Sequence, residues 1–126
     1  MQFSLLSIAA LASVAAAEGI NCNGSALCKS SGVAGNLLNL KAIVDNIPDR
    51  NRHYDTAKQI ACTGSICAYF QKGASGTAAR ASELLGQLLD HGCKKCGSIP
   101  TEAGNDVNKG ELTVNYVSHQ DCQGAC

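Results

Sequence analysis

The chain has 126 residues, ten Lys plus Arg against ten Asp plus Glu, 4% aromatics and no Trp. That is one domain's length; the zero formal net charge excludes a global draw to nucleic acid or to an anionic membrane surface, and the core must be aliphatic and thin. Eight cysteines supply what the core lacks, since an even count in a short chain reads as a disulfide framework when the compartment is oxidising.

Residues 1–17 set that compartment. Phe3 to Val14 is an apolar run of small residues, Ala15-Ala16-Ala17 offers a small-x-small cleavage pattern, and Glu18 is the first charge. The run lacks a leading Lys or Arg, but it is too short to span a bilayer, which takes about 20 apolar residues. It reads as a signal peptide cleaved after Ala17. The expected product is residues 18–126, secreted and not embedded in a membrane, with all eight cysteines retained.

Gly19 to Cys28 is a segment held at Cys22 and Cys28, with Asn23-Gly24-Ser25 as a candidate N-glycosylation site at Asn23. Val33 to Ile47 reads as a helix. Leu37, Leu40, Val44 and Ile47 form one stripe at a 3.6-residue period, Lys41 and Asp45 lie an i,i+4 step apart, and Pro48 stops the helix. Pro48 to Asp55 reads as a solvated loop, its Arg50, Arg52 and His53 without the interleaved aromatics that stack on bases. Ala57–Cys62 and Ile66–Gln71 read as a hairpin around Thr63-Gly64-Ser65. It brings Cys62 and Cys67 together and leaves two routes open: a bond between them, or a bond from each to the tail. Gly76 to His91 is a second helix, capped by Ser75 or Thr77. Its apolar face is Ala78, Ala81, Leu84, Leu85, Leu88 and Leu89, Arg80 and Glu83 form an outer i,i+3 pair, and Gly92 is the C′ glycine. Cys93 and Cys96 sit where that helix stops. Leu112 to Val117 alternates as a half-buried strand. Cys122 and Cys126 in the polar tail imply that the tail is stitched down.

Two other uses of the cysteines are zinc ligation by Cys22, Cys28, Cys93 and Cys96, and a redox pair at Cys93-Lys94-Lys95-Cys96. Both need reduced thiols, which an exported chain does not keep. With all eight paired, no thiol nucleophile remains. No G-x-S-x-G or H-E-x-x-H occurs. The chain reads as a binding protein rather than an enzyme, without cofactor or metal.

Gly92-Cys93-x-x-Cys96-Gly97-Ser98-x-Pro100, Ala103-Gly104-Asn105-Asp106-Val107 and Gly110-x-Leu112-Thr113-Val114-Asn115-Tyr116-Val117 resemble the fungal killer protein 4 toxin family. So do Gly19-Ile20-Asn21-Cys22-x-Gly24-Ser25-x-x-Cys28, Ile66-x-Ala68-Tyr69-x-Gln71 and Ser75-Gly76-Thr77. The resemblance implies a secreted, disulfide-rich α+β two-layer sandwich, an antiparallel sheet covered by two antiparallel helices. It implies bridges Cys22–Cys93, Cys28–Cys96 and Cys62–Cys122, which leaves Cys67 with Cys126. It departs from the founding type in lacking two cysteines and in adding Cys67.

The function it implies is growth inhibition of target cells by a monomer that blocks a calcium channel in their membrane. A cation-channel mouth carries carboxylates, so the candidate target-binding residues are Lys58, Lys94 and Lys95, each close to a cysteine. Arg52, on the loop, is expected to contribute little. The alternatives are a secreted effector that binds another host or competitor surface component, cell-wall glycan included, and a small secreted hydrolase using an acid pair.

Overall fold

The computed structural model describes residues 18–30 and 32–126, so the expected signal peptide, residues 1–17, lies outside the described residues. The fold is the α+β sandwich that the sequence implies. Its helices are α1 (Leu37–Asp45) and α2 (Ala78–Asp90). Its strands are β1 (His53–Tyr54), β2 (Gln59–Thr63), β3 (Ile66–Gln71), β4 (Gly76–Thr77), β5 (Gly97–Pro100), β6 (Glu111–Tyr116) and β7 (Gly124–Ala125). The main sheet is five-stranded and antiparallel throughout, in the order β5-β6-β3-β2-β7, and β1 pairs with β4 in a separate two-stranded ribbon.

The two faces of the sheet differ because side chains alternate along each strand. Ile66, Ala68, Phe70, Leu112, Val114 and Ile99 point to the side covered by the helices and are buried with Leu37, Leu40, Val44, Leu84, Leu85 and Leu88. The opposite face carries Ser98, Thr113 and Tyr69 in one cross-strand row and Pro100, Glu111 and Gln71 in the next.

Helix α1 starts at Leu37, the first residue of its apolar stripe, rather than at the expected Val33, and ends at Asp45 rather than Ile47. Gly35 has φ +111°, and a Cβ there would lie 2.3 Å from the Thr63 carbonyl oxygen, so the chain passes against the β2–β3 turn before it can coil. Asn36 then caps the helix, its side chain accepting from the Asn39 N–H at 2.8 Å. At the other end Arg50 donates to the Val44 carbonyl at 2.8 Å, satisfying one of the helix's last oxygens. Helix α2 is capped by Thr77, which accepts from the Arg80 N–H at 3.1 Å. It ends as expected at Gly92. The Gly92 N–H donates to Leu89 and the Cys93 N–H to Leu88, the paired pattern of a left-handed helix terminus. The helices are tied by Ser82, whose hydroxyl donates to the Asp45 carboxylate, which also accepts from Lys41 at 2.7 Å. Burial works against that charge, but the two donors outweigh it and hold the Asp45 pKa below its usual value.

Pro48–Asp55 is largely exposed, as the loop reading expects, with Tyr54 as its buried residue, but it is anchored at several points. Its end forms β1, and the carbonyls of Arg52 and Arg50 accept the first two helical N–H groups of α2, from Ala78 and Ala79. Arg52 is fixed as well. Its guanidinium donates to the Cys126 main-chain oxygen at 2.7 Å and lies 5.2 Å from the Tyr54 ring centroid.

The bridges Cys22–Cys93 and Cys28–Cys96 form as the resemblance implies. The other two do not. Cys62 is bonded to Cys67 and Cys122 to Cys126, in place of Cys62–Cys122 and Cys67–Cys126. The reason is register: Cys62 and Cys67 face each other directly across the β2–β3 hairpin, Cα atoms 4.1 Å apart, so their sulfur atoms meet before either reaches the tail. The tail is held instead by pairing of β7 with β2 and by the Cys126 N–H donating to the Ile60 carbonyl.

Candidate functional site

Two groups of cations flank the sandwich, and they line clefts that share no residue. The first is built on the paired bridges. Cys93 and Cys96 are buried, and the Lys94 carbonyl between them accepts from the Leu37 N–H at 3.0 Å, so the backbone that carries Lys94 is held at three points. The Lys94 side chain is exposed. It opens onto a groove whose charged side chains are Lys29, Lys94 and Lys95 with no carboxylate, the rest being cysteine, glycine and Asn23. Lys95 is not free there, because its ammonium donates to the Val33 carbonyl and ties the segment before α1 to the bridge region. Lys29, which follows Cys28 directly, belongs to the group but was not among the residues singled out from sequence; the adjacency to a bridged cysteine that pointed to Lys94 applies to it equally. On the other side of Lys94 the surface becomes apolar, at Leu38 and half-buried Leu89.

The second group surrounds Lys58. This residue closes a turn in which its N–H donates to the Asp55 carbonyl at 3.1 Å and Ala57 takes φ +69°, a conformation that usually selects glycine. Lys58 is exposed and shares its cleft with Arg52, His53, Asp55 and Asp121. Two carboxylates there offset the cations, so Lys58 sits in a weaker positive field than Lys94.

A third site was not visible in the sequence. The N-terminal segment runs along the free edge of β5, where Asn21 exchanges backbone hydrogen bonds with Ser98 at 3.0 and 2.9 Å. Gly97 permits this approach, since a Cβ there would lie 2.6 Å from the Asn21 carbonyl oxygen. Between this segment and the strands opens a cleft of about 470 Å³ lined almost wholly by polar side chains. Glu111 lies in its wall, 6% exposed, and forms no ion pair within 4.0 Å among the described residues. Burial raises the Glu111 pKa; Lys72 works against that shift, and the charge of Glu18 adds to it. Neighbouring Tyr69 is raised as well, by burial and then by Glu111.

A carboxyl whose folded pKa lies above its unfolded value favours folding only while it is protonated. Its destabilising effect is absent below about 4.3 and grows as pH rises through the folded value. Glu111→Gln is therefore expected to raise the melting temperature at pH 7, with the gain disappearing near pH 4. Thermal unfolding of both proteins across that range checks it, and a gain independent of pH would contradict the assigned cause.

A family model, Kp4, matches residues 5–118. The chain is also 39% identical over 130 aligned residues to the KP4 killer toxin of Ustilago maydis P4 virus, with 92% of this chain and 93% of that protein covered. The matched stretch takes in both helices and the paired bridges together with the β2–β3–β6–β5 part of the sheet, and the chain belongs to the Kp4 family.

Proposed function

We propose that the protein is a secreted, monomeric toxin-like antagonist that inhibits growth of a target cell by docking a disulfide-held lysine into the carboxylate-lined mouth of a calcium channel. Residues 1–17 act as the export signal and residues 18–126 as the acting domain. Family membership supports the toxin reading. The observation that carries the electrostatic mode is the groove of Lys29, Lys94 and Lys95, which contains no acid and sits on two bridges. A rigid backbone lowers the ordering cost of presenting a cation to a partner, and an unopposed cluster keeps its field at the range that steers association. Lys94 is the principal contact, Lys29 supports it, and Lys58 is secondary because Asp55 and Asp121 share its cleft. Lys95 acts by holding the scaffold.

The test is growth inhibition of a panel of fungi by the purified protein, with and without added calcium. Lys94→Gln combined with Lys29→Gln is expected to weaken inhibition several-fold, and Lys58→Gln to weaken it less. Added calcium should protect the cells, and the difference between variant and parent should shrink at high salt, where the Debye length falls to about 3 Å at 1 M. Equal potency of the double variant and the parent, with matching circular dichroism, would remove the charge-driven mode.

A further inference from the structure

We propose that the cleft around Glu111 on the outer face of the sheet binds a neutral, hydroxyl-rich saccharide chain. Some of the polar groups of the cleft are already engaged. Asn115 accepts from the N–H groups of Ser25 and Tyr116, both at 2.9 Å, and Asn21 donates to Glu18 and to the Gly19 carbonyl, both at 2.9 Å. These side chains build the wall. Gln71, Lys72 and Asn108 also line the cleft, and their side chains form no hydrogen bond among the described residues. Ser98 and Thr113 hydroxyls lie 2.8 Å apart on the cleft floor. Those two hydroxyls are bonded to each other, so the groups the cleft offers are two planar amides, a carboxyl and an ammonium, donors and acceptors that match vicinal hydroxyls.

Two features resist explanation as ordinary surface. Glu111 is almost fully buried with no ion pair within 4.0 Å among the described residues, an arrangement that lowers stability and is retained at sites with a use for the group. At the rim, Lys72 has φ +59° and Gly73 φ +79°, with the Ala74 N–H closing onto the Gln71 carbonyl at 3.1 Å. This is a tight β-turn with both central residues in the left-handed region, where the first position favours Asn, Asp or Gly. A lysine held there accepts backbone strain and in return places its ammonium at the cleft mouth.

The lining also decides the ligand class. The volume, about 470 Å³, is that of a small-ligand site, but the walls are too polar for an apolar ligand. Glu18 and Glu111 oppose an anion, with Lys72 as the one lysine in the lining. A metal ion is disfavoured because the group of His, Cys, Asp and Glu side chains that converges closely enough to hold one, among the described residues, is Cys62, Cys122 and Cys126, away from this cleft and already bonded in disulfides. A neutral polyol chain fits the near balance of charge and the number of free amides.

The test is calorimetric titration and amide NMR of the purified protein with chitohexaose, laminarihexaose and mannohexaose, and with hexagalacturonate as the charged comparison. The expected result is saturable binding of at least one neutral hexasaccharide, with the side-chain amide resonances of Gln71 and Asn108 shifting. Gln71→Ala and Asn108→Ala should each lose tenfold or more in affinity, and Asp90→Asn, at the end of α2, should lose none. No saturable binding of any neutral chain at millimolar concentration would overturn the proposal. So would tighter binding of hexagalacturonate, or binding unchanged in both alanine variants. No cells enter this assay, so its outcome is separate from that of the growth-inhibition experiment.

Discussion

Removing both N-terminal bridges, by replacing Cys22, Cys28, Cys93 and Cys96 with alanine, is expected to cost about 7 kcal/mol, as much as the whole stability of many small domains. The figure follows from the order in which the bridges close loops. Either bridge alone joins positions about 70 residues apart, with sequence separations of 71 and 68, and a loop of that length is worth about 4 kcal/mol in the chain-entropy model. Once one bridge is present, the second closes only the short circuit through Cys22–Cys28 and Cys93–Cys96 and adds about 3 kcal/mol. Removing a single bridge should therefore cost about 3 kcal/mol, whichever one is removed. By the same model the Cys122–Cys126 bridge, with a separation of 4, contributes about 2 kcal/mol. Urea unfolding of the two single-bridge variants and the double-bridge variant, under non-reducing conditions, measures all three. A cost under about 1 kcal/mol for a single N-terminal bridge would mean that the denatured chain is already compact near these cysteines. The groove that holds Lys94 depends on the same bridges, so the double-bridge variant should also lose growth inhibition.

The apolar periodicity of both helices was legible because each buries one stripe, and that stripe is written in the sequence at Leu37, Leu40 and Val44 and again at Ala81, Leu84, Leu85 and Leu88. The start of α1 was not, since it is set by the close approach of Gly35 to the carbonyl of Thr63, a contact between distant parts of the chain. Strand β1 has two residues, too few to show alternation, and it exists because Gly76 and Thr77 come alongside. The Cys22 and Cys28 partners were accessible through family resemblance. Those of Cys62, Cys67, Cys122 and Cys126 were not, because four cysteines allow three pairings and all of them are local here: the sulfur atoms of Cys62, Cys122 and Cys126 lie within 4.8 Å of one another. Only the hairpin register selects Cys67 as the partner of Cys62.

At the candidate sites the same distinction holds. A lysine flanked by bridged cysteines is recognisable in sequence, which is why Lys94 stands out. Whether its ammonium is free depends on which carbonyl folds over it, and that separates Lys94 from Lys95. Arg52 was expected to be a loose loop cation; it is anchored to Cys126 by a residue separation of 74 that no local pattern reveals. Glu111 opens a strand and nothing in the sequence singles it out; its cleft exists only because the segment Glu18–Gly24 comes alongside the sheet.

Phe70→Ala is expected to destabilise the fold by about 3–5 kcal/mol, the range for truncating a fully buried aromatic side chain. Phe70 lies on central strand β3, is 0% exposed, and is the one phenylalanine among the described residues. The other buried ring of the core is Tyr54, which pairs with Gly76 on the ribbon. The Phe70 ring also rests on the β1–β4 ribbon: a Cβ built on Gly76 would lie 2.8 Å from its Cζ atom, so Gly76 is the residue that lets the ribbon close over the sheet. This contact predicts coupling. Gly76→Ala alone should cost about 1–3 kcal/mol by overpacking. In the Phe70→Ala background the added methyl enters the vacated space, and its cost should fall to near zero or become a small gain. A double-mutant cycle by urea unfolding, with the disulfides intact, should give a coupling of about 1–3 kcal/mol. Strict additivity would show that the ribbon shifts to relieve Gly76→Ala without touching the ring. The ribbon would then be a mobile flap rather than part of the core, and the carbonyls of Arg50 and Arg52 that hold the start of α2 would move with it.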